Sequence, residues 1–171
     1  PAQAWRVLVP DYTPGKAIAV KVNFNNCRWC DSIDLAIDAL PHPINGVISG
    51  LLQAYPDFDP RDVWIYEASI GPQPPVSRRA IPLRFKVNCL YDVRYFDVKV
   101  EPPCSEVAGY ESDDPSAEVT WSNPPDIPTP PAMKVTDVLV AAQYLINMPI
   151  MKKHYNNAVT LSFKNHFGSV A

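Results

Sequence analysis

Two stretches of this chain concentrate side chains capable of chemistry. The first is Lys21, Asn23, Asn25 and Asn26, close behind an apolar run; the second is Asn147, followed by Lys152, Lys153 and His154 and then by Lys164 and Asn165. Lysine ammonium groups supply charge and asparagine amides supply directional donors and acceptors, a combination suited to a small anion such as phosphate or carboxylate. Lys152, His154 and Lys164 are therefore the candidates for electrostatic and acid–base work. Lys21, Asn23, Asn147 and Asn165 are the candidates for ligand binding. The competing reading is that the amides tie loops together and the lysines form a solvated edge.

Cysteine and histidine suggest further chemistry without a template to support it. Cys27-Arg28-Trp29-Cys30 follows a predicted strand, which superficially resembles a dithiol redox motif, but the Asn-rich approach does not fit that fold. Four cysteines allow three pairings, and in an oxidising compartment sequence proximity favours Cys27 with Cys30 and Cys89 with Cys104. Zinc held by all four lacks a second CxxC. His154 and His166 have no acidic residue between them, so a two-histidine, one-carboxylate metal site would borrow its acid from far away, and no metal is expected. GxGxxG, GxxxxGK[ST], HExxH and GxSxG are all absent from the sequence.

Composition limits the classes of function. The chain has 171 residues, 47% of them hydrophobic, which is enough for one domain with its own core. The net charge of -3 provides no global basic field, and the four tryptophans do not interleave with a basic patch, so nucleic acid is not an expected partner. The longest apolar stretch, residues 138–151, is broken by Gln143, Asn147 and Pro149 and falls short of the ~20 residues a membrane helix needs. Because the first residue is Pro1, any signal region lies outside view, and export and a cytoplasmic location both stay open.

The elements that must position the candidate residues are legible in outline. Residues 16–24 read as a buried strand after the Thr13-Pro14-Gly15 turn. Pro43 suits the first turn of a helix, and Ile44, Val47, Ile48, Leu51, Leu52 and Tyr55 recur at helical spacing. Residues 63–68 form a second strand, which completes a βαβ unit and implies a parallel sheet. Residues 70–82 read as an exposed loop. Residues 85–100 suggest a short helical piece and then a strand. Residues 101–131 hold eight prolines and seven acids with no Lys or Arg, an irregular acidic excursion with a short strand at 119–121 and a candidate partner surface. Thr136 caps a short helix through Ala142, and 144–148 is a buried strand. Asn157 is then expected to cap a last helix ending at Gly168.

The segment Ile146-Asn147-Met148-Pro149-Ile150-Met151-Lys152-Lys153-His154, followed by Val159-Thr160-Leu161-Ser162-Phe163-Lys164-Asn165-His166-Phe167-Gly168, resembles the N-x-P-x-x-K-x-H … T-x-x-x-K-N-x-x-G signature of the DUF362 family. Lys21-Val22-Asn23 and the His42-Pro43 helix start agree with it, and the resemblance runs from about Lys16 to Gly168. It implies an α/β protein of unknown function, and some members carry iron–sulfur modules. This chain lacks a ferredoxin-type cysteine run, so no cluster is expected within it. It also lacks the family's usual downstream portion. The expectation is a single, partial DUF362-like α/β domain over residues 1–171, with a mostly parallel sheet and an anion-binding rim at the strand C-termini. The alternative is a structural or interaction protein that uses the acidic loop.

Overall fold

The computed structural model describes residues 2–24, 38–68, 81–97, 105–107, 112–120, 125–129, 132–154, 158–160, 165, 166 and 169. Its centre is a sheet in the order β4-β3-β2-β1-β7, formed by β1 (Ile18–Lys21), β2 (Val63–Glu67), β3 (Arg94–Asp97), β4 (Glu106–Val107) and β7 (Tyr144–Asn147). Every pairing within it is parallel. The chain is an α/β protein, as the βαβ pattern predicts.

Alternation along the strands explains why the sheet is covered on both faces. Ile18 and Val20 of β1 join Val63 and Ile65 of β2 in one apolar cluster, while Ala19 joins Tyr66, Phe96 and Val138 in another. The first face is closed by α2 (Pro41–Ala54), whose Ile44, Ile48 and Leu51 are buried at helical spacing. Each such side chain contributes roughly 1.5–3 kcal/mol when removed from water. Proline in the first turn of α2 removes no needed donor, so the helix starts without a side-chain cap. α3 (Leu83–Lys86) adds Phe85 to the same face, edge-on to Phe24 at 5.0 Å. α4 (Asp137–Ala141) covers the second face through Val138, and Thr136 Oγ1 accepts from Val138 N–H at its start.

Some elements differ from expectation. α1 (Ala2–Leu8), which no periodicity announced, lies on α2, with Trp5 packed over Gly50. The acidic excursion contains β4, the fifth strand of the sheet, and β5 (Glu118–Val119), which pairs antiparallel with β6 (Met133–Lys134). β7 is half-buried rather than buried, because it is the edge strand and Leu145 is 44% exposed. The helix expected from Asn157 does not take in residues 158–160. Ala158–Thr160 is β9, antiparallel to β8 (Lys152–His154), since β-branched Val159 and Thr160 suit a ladder opposite Lys153 and Lys152. Asn157 itself and the loop at 70–80 lie outside the described residues.

Candidate functional site

In an open parallel sheet, a crevice opens at the carboxyl ends of the strands where the strand order reverses. Here β2 flanks β1 on one side and β7 on the other, so the reversal falls between β1 and β7. In register, Lys21 stands between Tyr66 and Asn147. Lys21 and Asn147, one from each polar stretch and more than a hundred residues apart in sequence, thus stand side by side.

Lys21 is fully buried. Its Nζ donates to Glu67 Oε1 at 3.1 Å and to the Val22 carbonyl at 2.6 Å, and it lies 5.7 Å from the centre of the Tyr66 ring. Glu67, also fully buried, accepts the Phe24 N–H at its other oxygen, at 3.1 Å. Burial lowers the lysine pKa and the Glu67 carboxylate opposes that shift. The positive charge of Lys21 is therefore answered within the protein, where the pair fixes the ends of β1 and β2.

A short C-terminal segment closes this edge. Asn165, 2% exposed, donates from Nδ2 to the Lys21 carbonyl at 3.1 Å and to Asn147 Oδ1 at 2.7 Å, so one amide bridges β1 and β7. With both protons committed, its Oδ1 is left buried and without a hydrogen-bond partner among the described residues. A buried acceptor of this kind costs roughly 1–3 kcal/mol unless a donor arrives. Ser169 Oγ lies 2.8 Å from the Tyr66 hydroxyl and 3.2 Å from His166 Nδ1, and the Ser169 carbonyl accepts the Thr136 N–H at 3.2 Å. Burial, reinforced by the Lys21 charge, lowers the pKa of His166.

The sheet thus gathers three of the sequence-predicted residues, Lys21, Asn147 and Asn165, around shared hydrogen bonds. Asn23 is buried two residues beyond Lys21, and its carbonyl accepts the Ala39 N–H at 3.0 Å. Lys152 is half-buried at the start of β8. The side chains of Lys153 and His154, together with Asn25, Asn26 and Lys164, lie outside the described residues. Sequence reasoning missed Tyr66, Glu67 and Ser169. Glu67 had a signal: a lone acid closing the apolar run Val63-Trp64-Ile65-Tyr66 is the natural partner of a lysine closing the neighbouring one. Ser169 had none.

The cysteine expectation needs correction. Cys89 carries a free thiol, so the Cys89–Cys104 disulfide is not formed. Cys89 lies against Tyr95, whose hydroxyl pKa is raised by burial and then by that thiol. A half-buried thiol hydrogen-bonded to a phenol packs as a small core residue. Cys27, Cys30 and Cys104 lie outside the described residues. Among the described residues no cluster of three or more His, Cys, Asp or Glu could hold a metal, and no helix is long and apolar enough to cross a membrane.

No curated protein and no solved structure matches the chain. A family model does: "Domain of unknown function (DUF362)" matches residues 89–171, a span that contains Asn147, Lys152, Asn165, His166 and Ser169. Residues 89–171 of this chain thus match the DUF362 family, and Asn147 and Asn165 of that span lie on the edge just described.

Proposed function

We propose that the chain binds a small anionic ligand, phosphate or carboxylate in class, at the carboxyl edge of β1 and β7. The observation that carries this reading is the position of Lys21 and Asn147, paired in register at the point where the strand order reverses. Asn147 and Asn165 would supply the amide contacts, and the unpartnered Asn165 Oδ1 suits a hydroxyl or N–H donor on the same ligand. Lys152, with His154 and Lys164, would supply charge and proton transfer. Lys21 serves the site through Glu67 and the strand ends rather than as the receiving cation.

The test is calorimetric titration of the full chain with inorganic phosphate and with malonate, repeated on a Lys152→Ala, His154→Ala double variant. Losing charge-assisted contacts worth about 1.5–3 kcal/mol each should weaken binding by roughly tenfold or more. Equal affinity in the double variant would put the site elsewhere. A second reading, a partner surface on the acidic proline-rich residues 101–131, draws on Ile127, an apolar side chain 55% exposed there. That reading predicts no response to either anion.

A further inference from the structure

We propose that Asn165, His166 and Ser169 form a pH-sensitive clasp over the β1–β7 edge, one that is fastened while His166 is neutral and released when it is protonated. The argument turns on the direction of two hydrogen bonds. Tyr66 is fully buried, and its hydroxyl has Ser169 Oγ as its partner at 2.8 Å. A buried phenol proton left without an acceptor is costly, so Tyr66 donates to Ser169. The Ser169 proton is then free for His166 Nδ1, 3.2 Å away. This order requires Nδ1 to be an acceptor, which holds only for the neutral imidazole carrying its proton on Nε2.

Protonation breaks the relay. Nδ1 becomes a donor to Ser169 Oγ, which can accept it beside the Tyr66 hydroxyl, and the proton of the buried Ser169 hydroxyl loses Nδ1 as its acceptor. The titratable groups around the clasp are Lys21 on β1, Tyr66 and Glu67 on β2 and Asp137 beside the Thr136 N–H that holds the Ser169 carbonyl. Lys21 and burial both act against the imidazolium. The other half of the clasp is Asn165, whose amide holds the Lys21 carbonyl and Asn147, so release of Ser169 loosens the same edge. The consequence for a ligand rests on the site proposed above; the clasp itself rests on the hydrogen bonds alone.

The experiment is an NMR titration of the isotope-labelled full chain from pH 8 to pH 5. It follows the His166 ring protons and the Asn165 side-chain amide in the wild type, Ser169→Ala and Tyr66→Phe, with inorganic phosphate added at both ends of the range. Ser169→Ala removes the relay, and the His166 midpoint should move up. Tyr66→Phe keeps a serine that must donate to Nδ1, and the midpoint should stay below the ordinary histidine value. In the wild type, the Asn165 amide resonances should shift with the same midpoint as the ring. An unmoved midpoint in Ser169→Ala, or an Asn165 amide indifferent to His166, overturns the clasp. Absence of a phosphate response at every pH, with the His166 behaviour as described, overturns the ligand site and leaves the clasp standing.

Discussion

The buried Lys21–Glu67 pair offers the most demanding test of how this edge is built. Glu67→Gln keeps an oxygen for the Phe24 N–H but removes the charge opposite Lys21, which retains, among the described residues, the Val22 carbonyl and the Tyr66 ring face. Breaking a buried ion pair from one side costs about 3–5 kcal/mol, because the remaining charge is stranded. Lys21→Met strands the Glu67 carboxylate to a similar extent. Each single variant should therefore lose a large part of a total stability on the order of 5–15 kcal/mol. The double variant strands no charge and should recover most of the loss, short of the wild type by the unpaired amide of the introduced glutamine and the unpaired Val22 carbonyl, roughly 1–3 kcal/mol.

Urea unfolding of all four proteins gives the coupling from the midpoints, provided the slopes agree. A double variant as unstable as the sum of the singles would refute the reasoning, as would singles that cost less than about 1 kcal/mol. The pH dependence adds a second check. The folded pKa of Lys21 is lowered and Glu67 is the group that raises it, so in Glu67→Gln it falls further. Between that lowered folded value and the unfolded lysine value the unfolded chain binds the extra proton, and stability rises with pH. The deficit of Glu67→Gln should shrink toward alkaline pH, while that of Lys21→Met should not shrink for this reason.

Three further outcomes follow from particular contacts. A Cβ added at Gly50 would lie 2.0 Å from Trp5 Nε1, so Gly50→Ala must push α1 off α2, at about 1–3 kcal/mol, with a change in tryptophan fluorescence and an unchanged His166 titration. Thr136→Ala removes the oxygen that accepts the Val138 N–H and should cost about 1 kcal/mol in urea unfolding. His166 has a lowered folded pKa, so below the ordinary histidine value the unfolded state binds more protons; stability should fall as pH drops from 7 toward that lowered pKa, and His166→Gln should flatten the slope.

How far the sequence could be read depended on how many periods an element offers. β1 is an apolar run up to Lys21 and α2 repeats Ile44, Ile48 and Leu51 over about two turns, so both are visible from composition and spacing alone. β8 and β9 are three residues each, and Ala158-Val159-Thr160 satisfies a helical and an extended pattern equally. The adjacency of Lys21 and Asn147 lies at a different level. Strand order is set by which apolar faces can be covered together, a nonlocal outcome that no local spacing encodes. Lys21 itself was legible as polar at a strand end, but its burial was not, because burial depends on Glu67 arriving from the next strand.

The same nonlocality determines what the family-matched region can do alone. Residues 89–171 contribute β3, β4 and β7 to the central sheet, but β3 and β7 are not neighbours; β2 and β1 stand between them. Without those two strands, Phe96 and Val138 lose Ala19 and Tyr66, and the Asn165 amide loses the Lys21 carbonyl. Ser169 likewise loses Tyr66. Residues 89–171 expressed by themselves should therefore give a spectrum without amide dispersion and no cooperative urea transition. Adding residues 1–88 as a separate chain should restore both, because the apolar faces and the polar edge are completed by the same strands. A well-dispersed spectrum from residues 89–171 alone would mean that the matched region closes its own sheet, and that Lys21, Tyr66 and Glu67 are additions to the edge rather than part of its foundation.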